Sequence, residues 1–263
     1  MTNDNTAVAQ PAAHFIGIDV GTGSARAGVF DGQGRLVGSD NGAISTHYEN
    51  GGIVEQSSAE IWGVVCAAVR GAVTASGVDP AQIKGIGFDA TCSLVVLGKD
   101  GTPLPVGAPE RTDHDIVVWM DHRAVAQAAR INDTKHNVLD YVGGRISPEM
   151  QTPKLLWLKE NRPALFESVW QFFDLTDFLT WRATGSLARS NCTLTCKWTY
   201  LGHEKRWDES YFRTIGLGVL ADEGFRRIGT QVVDPGTAVG AGLTKDAAQD
   251  LGLLPGTAVA AGL

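Results

Sequence analysis

Basic residues are in the minority: 22 lysines and arginines face 29 aspartates and glutamates, for a formal net charge of −7. A surface of that sign repels phosphate backbones and anionic headgroups, so neither a nucleic-acid partner nor a membrane partner is expected. No uninterrupted apolar run approaches the roughly 18 residues that a bilayer demands. The opening MTNDNTAVAQPA has neither the basic start nor the apolar middle of a secretory leader. It reads as a disordered polar tail over residues 1–13. Cysteines are few, and Cys66, Cys92, Cys192 and Cys196 are too scattered for a disulfide scaffold. Cys192 and Cys196 stand four apart without a second Cys or His cluster to complete a zinc site. Such thiols suit a reducing compartment, and the expected location is cytoplasmic. Internal repeats and low-complexity tracts are also missing.

What is present is enough for a sizeable core: 263 residues, 43% of them apolar and 19% charged. The most informative stretch is FIGIDVGTGSARAGVFDGQGRLVG, Phe15 to Gly38. Phe15, Ile16 and Ile18 alternate into Asp19, and a small-residue turn follows, Gly21-Thr22-Gly23-Ser24. Ala27 to Phe30 is a second strand, Asp31-Gly32-Gln33-Gly34 a tight turn, and Leu36-Val37 a third strand. The pattern is that of an antiparallel meander.

Glycines in the first turn let a ligand approach the backbone, whose successive N–H groups form an anion-binding concavity. Thr22 and Ser24 add hydroxyl donors, Arg26 adds positive charge, and Asp19 at the strand end is placed to hold a hydrated Mg²⁺. Oxyanion donors beside a carboxylate suit a metal–nucleotide phosphate. An ordinary hairpin has the same composition, and that reading stays open. No helix follows the glycines as in a dinucleotide fingerprint, and no Gly-Lys-Ser/Thr completes a Walker loop.

Further along, Gly42 to Glu55 reads as a long strand and a loop. Ser57 with Glu60 starts a helix that runs to Ser76 and stops at Gly77. Ile83 to Asp89 is a buried strand, with Leu94 to Leu97 as its continuation or hairpin partner. Val106 to Asp115 is a polar loop, Ile116 to Trp119 a short strand, and Asp121 to Asn132 a helix. From Ile146 the pattern is α-rich. Helices are expected over Pro153–Asn161, Leu175–Thr184, Trp207–Ile215, Glu223–Ile228 and Lys245–Leu251, with short strands at Phe172–Asp174, from Val239, and over Ala258–Leu263. The last strand is apolar and the chain stops inside it, so a truncated chain is expected.

Four further stretches carry candidate chemistry. Ala90, Thr91, Cys92 and Ser93 follow Phe88-Asp89 at the carboxyl end of a buried strand, where open α/β sheets place ligands; a strand bulge is the plain alternative. Trp119-Met120-Asp121-His122-Arg123 puts cations on a first helical turn, against the helix dipole, while Asp121 serves equally as a helix cap. Ser190 to Trp198 brings neutral polar and thiol side chains to Lys197, which either binds a ligand or packs its stem on Trp198. Glu149, in Ser147-Pro148-Glu149-Met150, is either a ligand contact or a helix-start carboxylate.

These stretches, with Pro153-Lys154-Leu155-Leu156-Trp157 and Asp177 to Gly185, stand in an order that resembles the FGGY carbohydrate kinases. IGFDATCSLVVL, WMDHRA, YVGGRISPEMQTPKLLWLKEN and CKWTY resemble its ribulokinase-like branch, above all the FGGY-domain-containing D-ribulose kinases. The resemblance covers Phe15 to Leu263. It implies an α/β fold with a ribonuclease-H-like (actin-like ATPase) core, a mixed sheet and α-rich insertions. It implies ATP and Mg²⁺ as cofactors, a small-molecule sugar as substrate, and a homodimer as a plausible assembly. Asp19 becomes the Mg²⁺-linked carboxylate, with Gly21, Thr22, Gly23, Ser24 and Arg26 around the transferred phosphoryl group. Ala90, Thr91, Cys92, Ser93 and Lys197 fall on the sugar, and Asp121, Arg123 and Glu149 join them.

The family pattern also continues beyond this chain, with a general-base Asp just past Ala260-Ala261-Gly262-Leu263 and a second, ATP-binding domain. The resemblance therefore implies that residues 14–263 are the N-terminal, sugar-binding domain, with the C-terminal ATP-binding domain absent. Alone it is expected to transfer phosphoryl groups poorly. The expected reaction of the intact enzyme is transfer of the ATP γ-phosphoryl to a primary hydroxyl of a ketopentose, D-ribulose first, with L-ribulose, xylulose or a pentitol as alternatives. A non-catalytic sugar-binding module and another ribonuclease-H-like ATPase are the rival readings.

Overall fold

In the computed structural model, which describes residues 13–107 and 111–263, the chain opens with the expected meander. Strand β1 (His14–Val20) turns into β2 (Ser24–Asp31), and β2 into β3 (Leu36–Ala43), each pair antiparallel. Ile16, Ile18 and Val20 are buried, while Phe15, Gly17 and Asp19 face the other way and are exposed. That period-two division marks a sheet with one covered face. Apart from Ala13, the expected tail over residues 1–13 lies outside the described residues.

Gly42 to Glu55, expected as a long strand and a loop, instead holds the end of one strand and a separate hairpin. β3 ends at Ala43, and the hairpin β4 (His47–Glu49) and β5 (Ile53–Gln56) begins a second sheet. Gly51 and Gly52 lie between them with φ of 84° and 78°, left-handed conformations that cost glycine little.

Helix α1 (Ser58–Ser76) starts and stops on its own signals. The Ser57 hydroxyl accepts the Glu60 N–H, and Gly77 closes the helix with φ 65°. By length and composition its 19 residues are long and apolar enough to cross a bilayer, although Glu60 and Arg70 interrupt the apolar run. Its Ile61, Val65, Ala68, Val69 and Ala72 are instead packed into the core with Ala27 and Val29 of β2.

The chain continues through β6 (Ile83–Ala90), β7 (Leu94–Leu97), β8 (Ile116–Val117), α2 (Val125–Asp133), α3 (Gln151–Asn161), α4 (Pro163–Ser168) and β9 (Gln171–Asp174). It ends with α5 (Leu175–Thr184), β10 (Arg189–Ser190), α6 (Asn191–Lys197), α7 (Glu209–Thr214), α8 (Gly218–Asp222), β11 (Val232–Val233), α9 (Lys245–Leu251) and β12 (Ala258–Ala260). The first sheet has the order β12-β6-β1-β2-β3, with β12, β6 and β1 parallel and β2 antiparallel to both neighbours. This is a mixed sheet of the ribonuclease-H-like, actin-like kind. The second sheet, β4-β5-β8-β7-β9, is antiparallel throughout.

The second sheet separates two cores. Leu94, Val96, Val117 and Phe172 face the core built with α2, α3 and α7. Val95, Leu97, Ile116 and Phe173 face the core of the first sheet, α1 and α5. Burial on both faces explains why these short strands read as unbroken apolar runs.

Several expectations are corrected here. Leu94–Leu97 neither continues β6 nor pairs with it; it belongs to the second sheet, after a turn fixed by Thr91 N–H to Val20 O at 3.0 Å. The helix expected from Asp121 begins at Val125, so Asp121 is not its cap. Glu223–Ile228 forms turns, with Phe225 at φ 59°, and the helix lies earlier, at α8. Val239 starts no strand and only adjoins an isolated bridge from Ala238 to Ala260. The apolar end is a strand only as far as Ala260.

Candidate functional site

The first turn is rigid. Gln56 Nε2 donates to the Thr22 carbonyl at 2.7 Å, Thr46 Oγ1 donates to the same carbonyl at 3.2 Å, and the Ile44 N–H reaches the Gly23 carbonyl at 3.0 Å. Neither Gly21 nor Gly23 lies in the left-handed region, so the turn does not need glycine for its conformation. A Cβ on Gly23 would meet nothing within 4 Å. The glycines keep space clear in front of the backbone, which is what a bound ligand requires and a bare hairpin does not.

Beside this turn the sheet register lines up charges. Asp19 pairs with Arg26 across β1 and β2, and with Asp89 across β1 and β6, so all three share the open face in one row. Arg26 NH2 lies 2.7 Å from Asp19 Oδ2, both side chains about half exposed. Burial, then the charge of Asp19, holds the Asp89 carboxyl above the usual range. One same-face step further, two residues earlier on β1 and β6 and two later on β2, Gly17, Gly87 and Gly28 form a second row without side chains. Together the rows wall a cleft of about 820 Å³, completed by Pro235, Gly236 and the final Ala261-Gly262-Leu263.

The Ala90–Ser93 stretch at the end of β6 closes against the same turn. Ala90, Thr91 and Cys92 are half-buried and Ser93 is fully buried. Ser93 Oγ accepts the Trp119 N–H at 3.1 Å, and Trp119 Nε1 donates to Thr22 Oγ1 at 3.0 Å. Trp119 thus ties the loop to the turn. The Thr91 hydroxyl is buried with no hydrogen-bond partner among the described residues, an orphan of the sort a ligand satisfies.

Lys197 reaches this region at the end of α6. Ser190 caps that helix by accepting the Cys192 N–H. Asp177, buried in α5, anchors it by accepting the Ser190 N–H at 2.8 Å and the Thr193 hydroxyl at 2.7 Å. Lys197 is half-buried at the end of the helix. Trp198 beside it is buried, with its indole donating to Asp174 Oδ2 at 3.3 Å. Cys92 and Cys196 hydrogen-bond to each other. The bond and then burial push the Cys92 thiol up, while the bond lowers Cys196, with Lys197 helping.

Asp121 and Arg123 sit deeper. Arg123 NH2 lies 2.8 Å from both Asp121 Oδ2 and Glu55 Oε1, with all three side chains 2% exposed or less. Asp121 Oδ2 also takes the Val54 N–H at 2.7 Å, and Arg123 stacks on Trp157 at 5.0 Å. The Asp121 carboxylate is taken up by Arg123 and the Val54 N–H, whereas Glu55 Oε2 is buried without a hydrogen-bond partner among the described residues. Glu149 pairs with His122, at 3.1 Å between Oε1 and Nε2, on the more exposed side of this segment.

The buried first turn of α3 carries polar side chains for which the sequence suggests no site role, although Pro153 to Trp157 belongs to the family-like order. Gln151 Nε2 donates to the Cys92 carbonyl at 3.0 Å, Thr152 shares a 3.1 Å hydrogen bond with Tyr211, and Lys154 Nζ donates to the Val118 and Trp119 carbonyls. All three side chains belong to residues with no solvent exposure. The available signal was Gln-Thr-Pro-Lys running into Leu-Leu-Trp, polar residues on a helix with no polar face left for them.

The chain matches known proteins along nearly all of its length. Residues 14–263 match the FGGY family of carbohydrate kinases, N-terminal domain. A human FGGY carbohydrate kinase domain-containing protein is 51% identical over 255 residues, covering 97% of this chain and 46% of the relative. A D-ribulokinase of Saccharomyces cerevisiae is 40% identical over 264 residues, covering 96% of this chain and 37% of the relative. The crystal structure of a xylulose kinase from Rhodospirillum rubrum shares the fold, with a TM-score of 0.78 at 18% identity over 95% of this chain and 48% of that one. The chain spans about half the length of the curated relatives it matches.

Proposed function

The chain belongs to the FGGY family of carbohydrate kinases, and from that premise we propose that it forms the sugar-binding half of an ATP-dependent ketopentose kinase. The observation that carries the reading is the Trp119 bridge. It fastens a turn suited to phosphate, at Thr22, to a loop suited to sugar hydroxyls, at Ser93. Donor and acceptor substrates of a phosphoryl transfer must meet at such a junction.

In this reading Thr22, Gly23, Ser24 and Arg26 bind oxygens of the transferred group, and fixed donors there cost no reorganisation during the reaction. Ala90 to Ser93, with the orphan Thr91 hydroxyl, and Lys197 bind and orient the ketose. Asp121, Arg123 and Glu149 support that segment from behind. Asp19, half-exposed and offering hard oxygen ligands beside Asp89, fits a hydrated Mg²⁺. When bound, the ion would neutralise charge on the phosphoryl oxygens. Leu263 lies at the cleft wall with Asp19 and Asp89, beside which the family resemblance implies the Asp that accepts the sugar hydroxyl's proton. D-Ribulose is the preferred substrate because a D-ribulokinase is among the relatives.

The test is ATP-dependent ADP formation by the natural protein that carries this sequence, measured across ketoses and polyols. Turnover of D-ribulose, with little ADP formed in the absence of sugar, is the expected result. Sugar binding without turnover would favour a binding module, and fast hydrolysis of ATP alone would overturn the kinase assignment.

A further inference from the structure

Among the described residues, Lys154 is the only lysine with no solvent exposure. It stands on the first turn of α3, and its Nζ donates to the Val118 carbonyl at 3.0 Å and the Trp119 carbonyl at 3.1 Å. These are consecutive residues, so one amine clamps a dipeptide just where it leaves β8. The same dipeptide is held from its other side: the Val118 N–H reaches the Val54 carbonyl at 3.0 Å, and the Trp119 N–H reaches Ser93 Oγ at 3.1 Å. With the backbone of Trp119 fixed at both N–H and C=O, its indole is delivered to Thr22 Oγ1.

The direction of that last bond matters. An indole N–H only donates, so Thr22 must accept. A hydroxyl has one hydrogen, and here it stays available to a second acceptor in front of the turn. Burying a lysine away from any carboxylate hydrogen bond is costly, and an apolar side chain of similar length would fill the space more cheaply. The two carbonyls give the amine its purpose.

We infer that Lys154 is a positioning residue for phosphoryl transfer: it clamps the Val118–Trp119 backbone, aims the Trp119 indole at Thr22, and thereby orients the Thr22 hydroxyl toward the transferred group. It touches neither sugar nor nucleotide. The inference rests on the kinase reading and adds to it the residue that couples the two substrate sides.

The test is a double-mutant cycle in the natural protein that carries this sequence, with Lys154→Met and Trp119→Phe. Each single variant is expected to lower kcat on the ketose roughly 10- to 100-fold, the scale on which misplacing a reacting group acts. The Lys154→Met variant should keep its KM for sugar within about threefold, the spread expected of a residue that acts on the transition state alone. The double variant should be no slower than the worse single, because both remove one chain of contacts. Additive losses, or a loss confined to KM, would overturn the inference. If Lys154→Met does not fold, Lys154→Gln, which retains a donor for one carbonyl, takes its place in the cycle with the same expectations.

A second readout does not depend on turnover. With ¹⁵N-labelled tryptophan, the Trp119 indole signal is identified by its disappearance in Trp119→Phe. It should move in Thr22→Val and again in the lysine variant. An indole signal unmoved by the lysine substitution sinks the clamp itself. Absence of turnover in the unsubstituted protein sinks the kinase reading, and with it the catalytic part of the inference.

Discussion

The indole nitrogen of Trp119 lies 3.0 Å from the hydroxyl of Thr22, across 97 residues of sequence. Thr22→Val keeps the shape of the side chain and removes the acceptor. The half-buried indole N–H is then stranded, which costs about 1–3 kcal/mol. Thermal unfolding should register that loss. In the kinase reading kcat should fall by roughly 100- to 1,000-fold, with sugar affinity kept, because one fixed donor is gone from the phosphoryl side. An unchanged kcat would remove Thr22 from that role.

Lys197→Ala tests the sugar side. The residue is half-buried at the end of α6, and the helix is anchored by Asp177 through Ser190 and Thr193 rather than by the lysine. Stability should therefore change by no more than about 0.5 kcal/mol. Losing a charged hydrogen bond to a sugar hydroxyl should weaken ketose binding by about 1.5–3 kcal/mol, tenfold or more in Kd. Calorimetric titration that finds the same affinity would exclude the contact.

Arg123 behaves differently, because its charge is spent inside the protein. Arg123→Ala would leave Asp121 and Glu55 as buried carboxylates without their partner. The expected destabilisation is about 3–5 kcal/mol, read from the urea midpoint. Arg123→Lys should recover only part of it, since an ammonium cannot fork between two carboxylates as a guanidinium does. A loss below about 1 kcal/mol would contradict this, being the scale of an exposed pair.

That ion pair also shows where reading the sequence stops. Glu55 and Arg123 are 68 residues apart, and no local pattern joins them. Asp121 looked like a helix cap because caps are local, yet its carboxylate is taken by Arg123 and the Val54 N–H. The meander, the Ser57 and Gly77 ends of α1, and the strand before Ala90 were legible for the same reason: each depends on neighbours within a few residues. Leu94–Leu97 reads as a strand, but its pairing with β8 and β9 is decided by chain far downstream. At the site, Asp19, Thr22 and Arg26 could be named from one turn. Gln151 and Lys154 could not, because their partners are carbonyls, which have no letter in the sequence.

The thiols near Lys197 give a chemical test. Cys196 is exposed, and its thiolate is favoured by the Cys92 hydrogen bond and by Lys197, whereas burial pushes Cys66 up to about 12 and raises Cys192. Iodoacetamide at neutral pH should alkylate Cys196 first, because the thiolate is the nucleophile. A ketose held by Lys197 should slow that labelling. Peptide mapping that finds Cys192 modified as fast as Cys196 would contradict the contact with Cys92.

Lys154 makes stability depend on pH, with a sign opposite to that of an ordinary ion pair. Burial is the main cause that lowers its amine from 10.5 to about 7; Asp121 and Asp174 pull the other way, while Lys197 and Arg123 add to the lowering. Between pH 7 and 10.5 the unfolded chain therefore carries a proton that the folded chain lacks. Stability must rise with pH across that window, by roughly 1.4 kcal/mol per unit in its middle. Below pH 7 both states are protonated and the full cost of the buried charge is present. The neutral amine still has two N–H bonds, enough for the Val118 and Trp119 carbonyls, so the clamp survives loss of the proton. Urea unfolding from pH 7 to 9.5 should show a steeper rise for the unsubstituted chain than for Lys154→Met. Taking the difference cancels the tyrosines and cysteines that titrate in the same range. Equal slopes would mean that the lysine keeps its charge in the folded protein, held by Asp121 and Asp174 more strongly than burial opposes it.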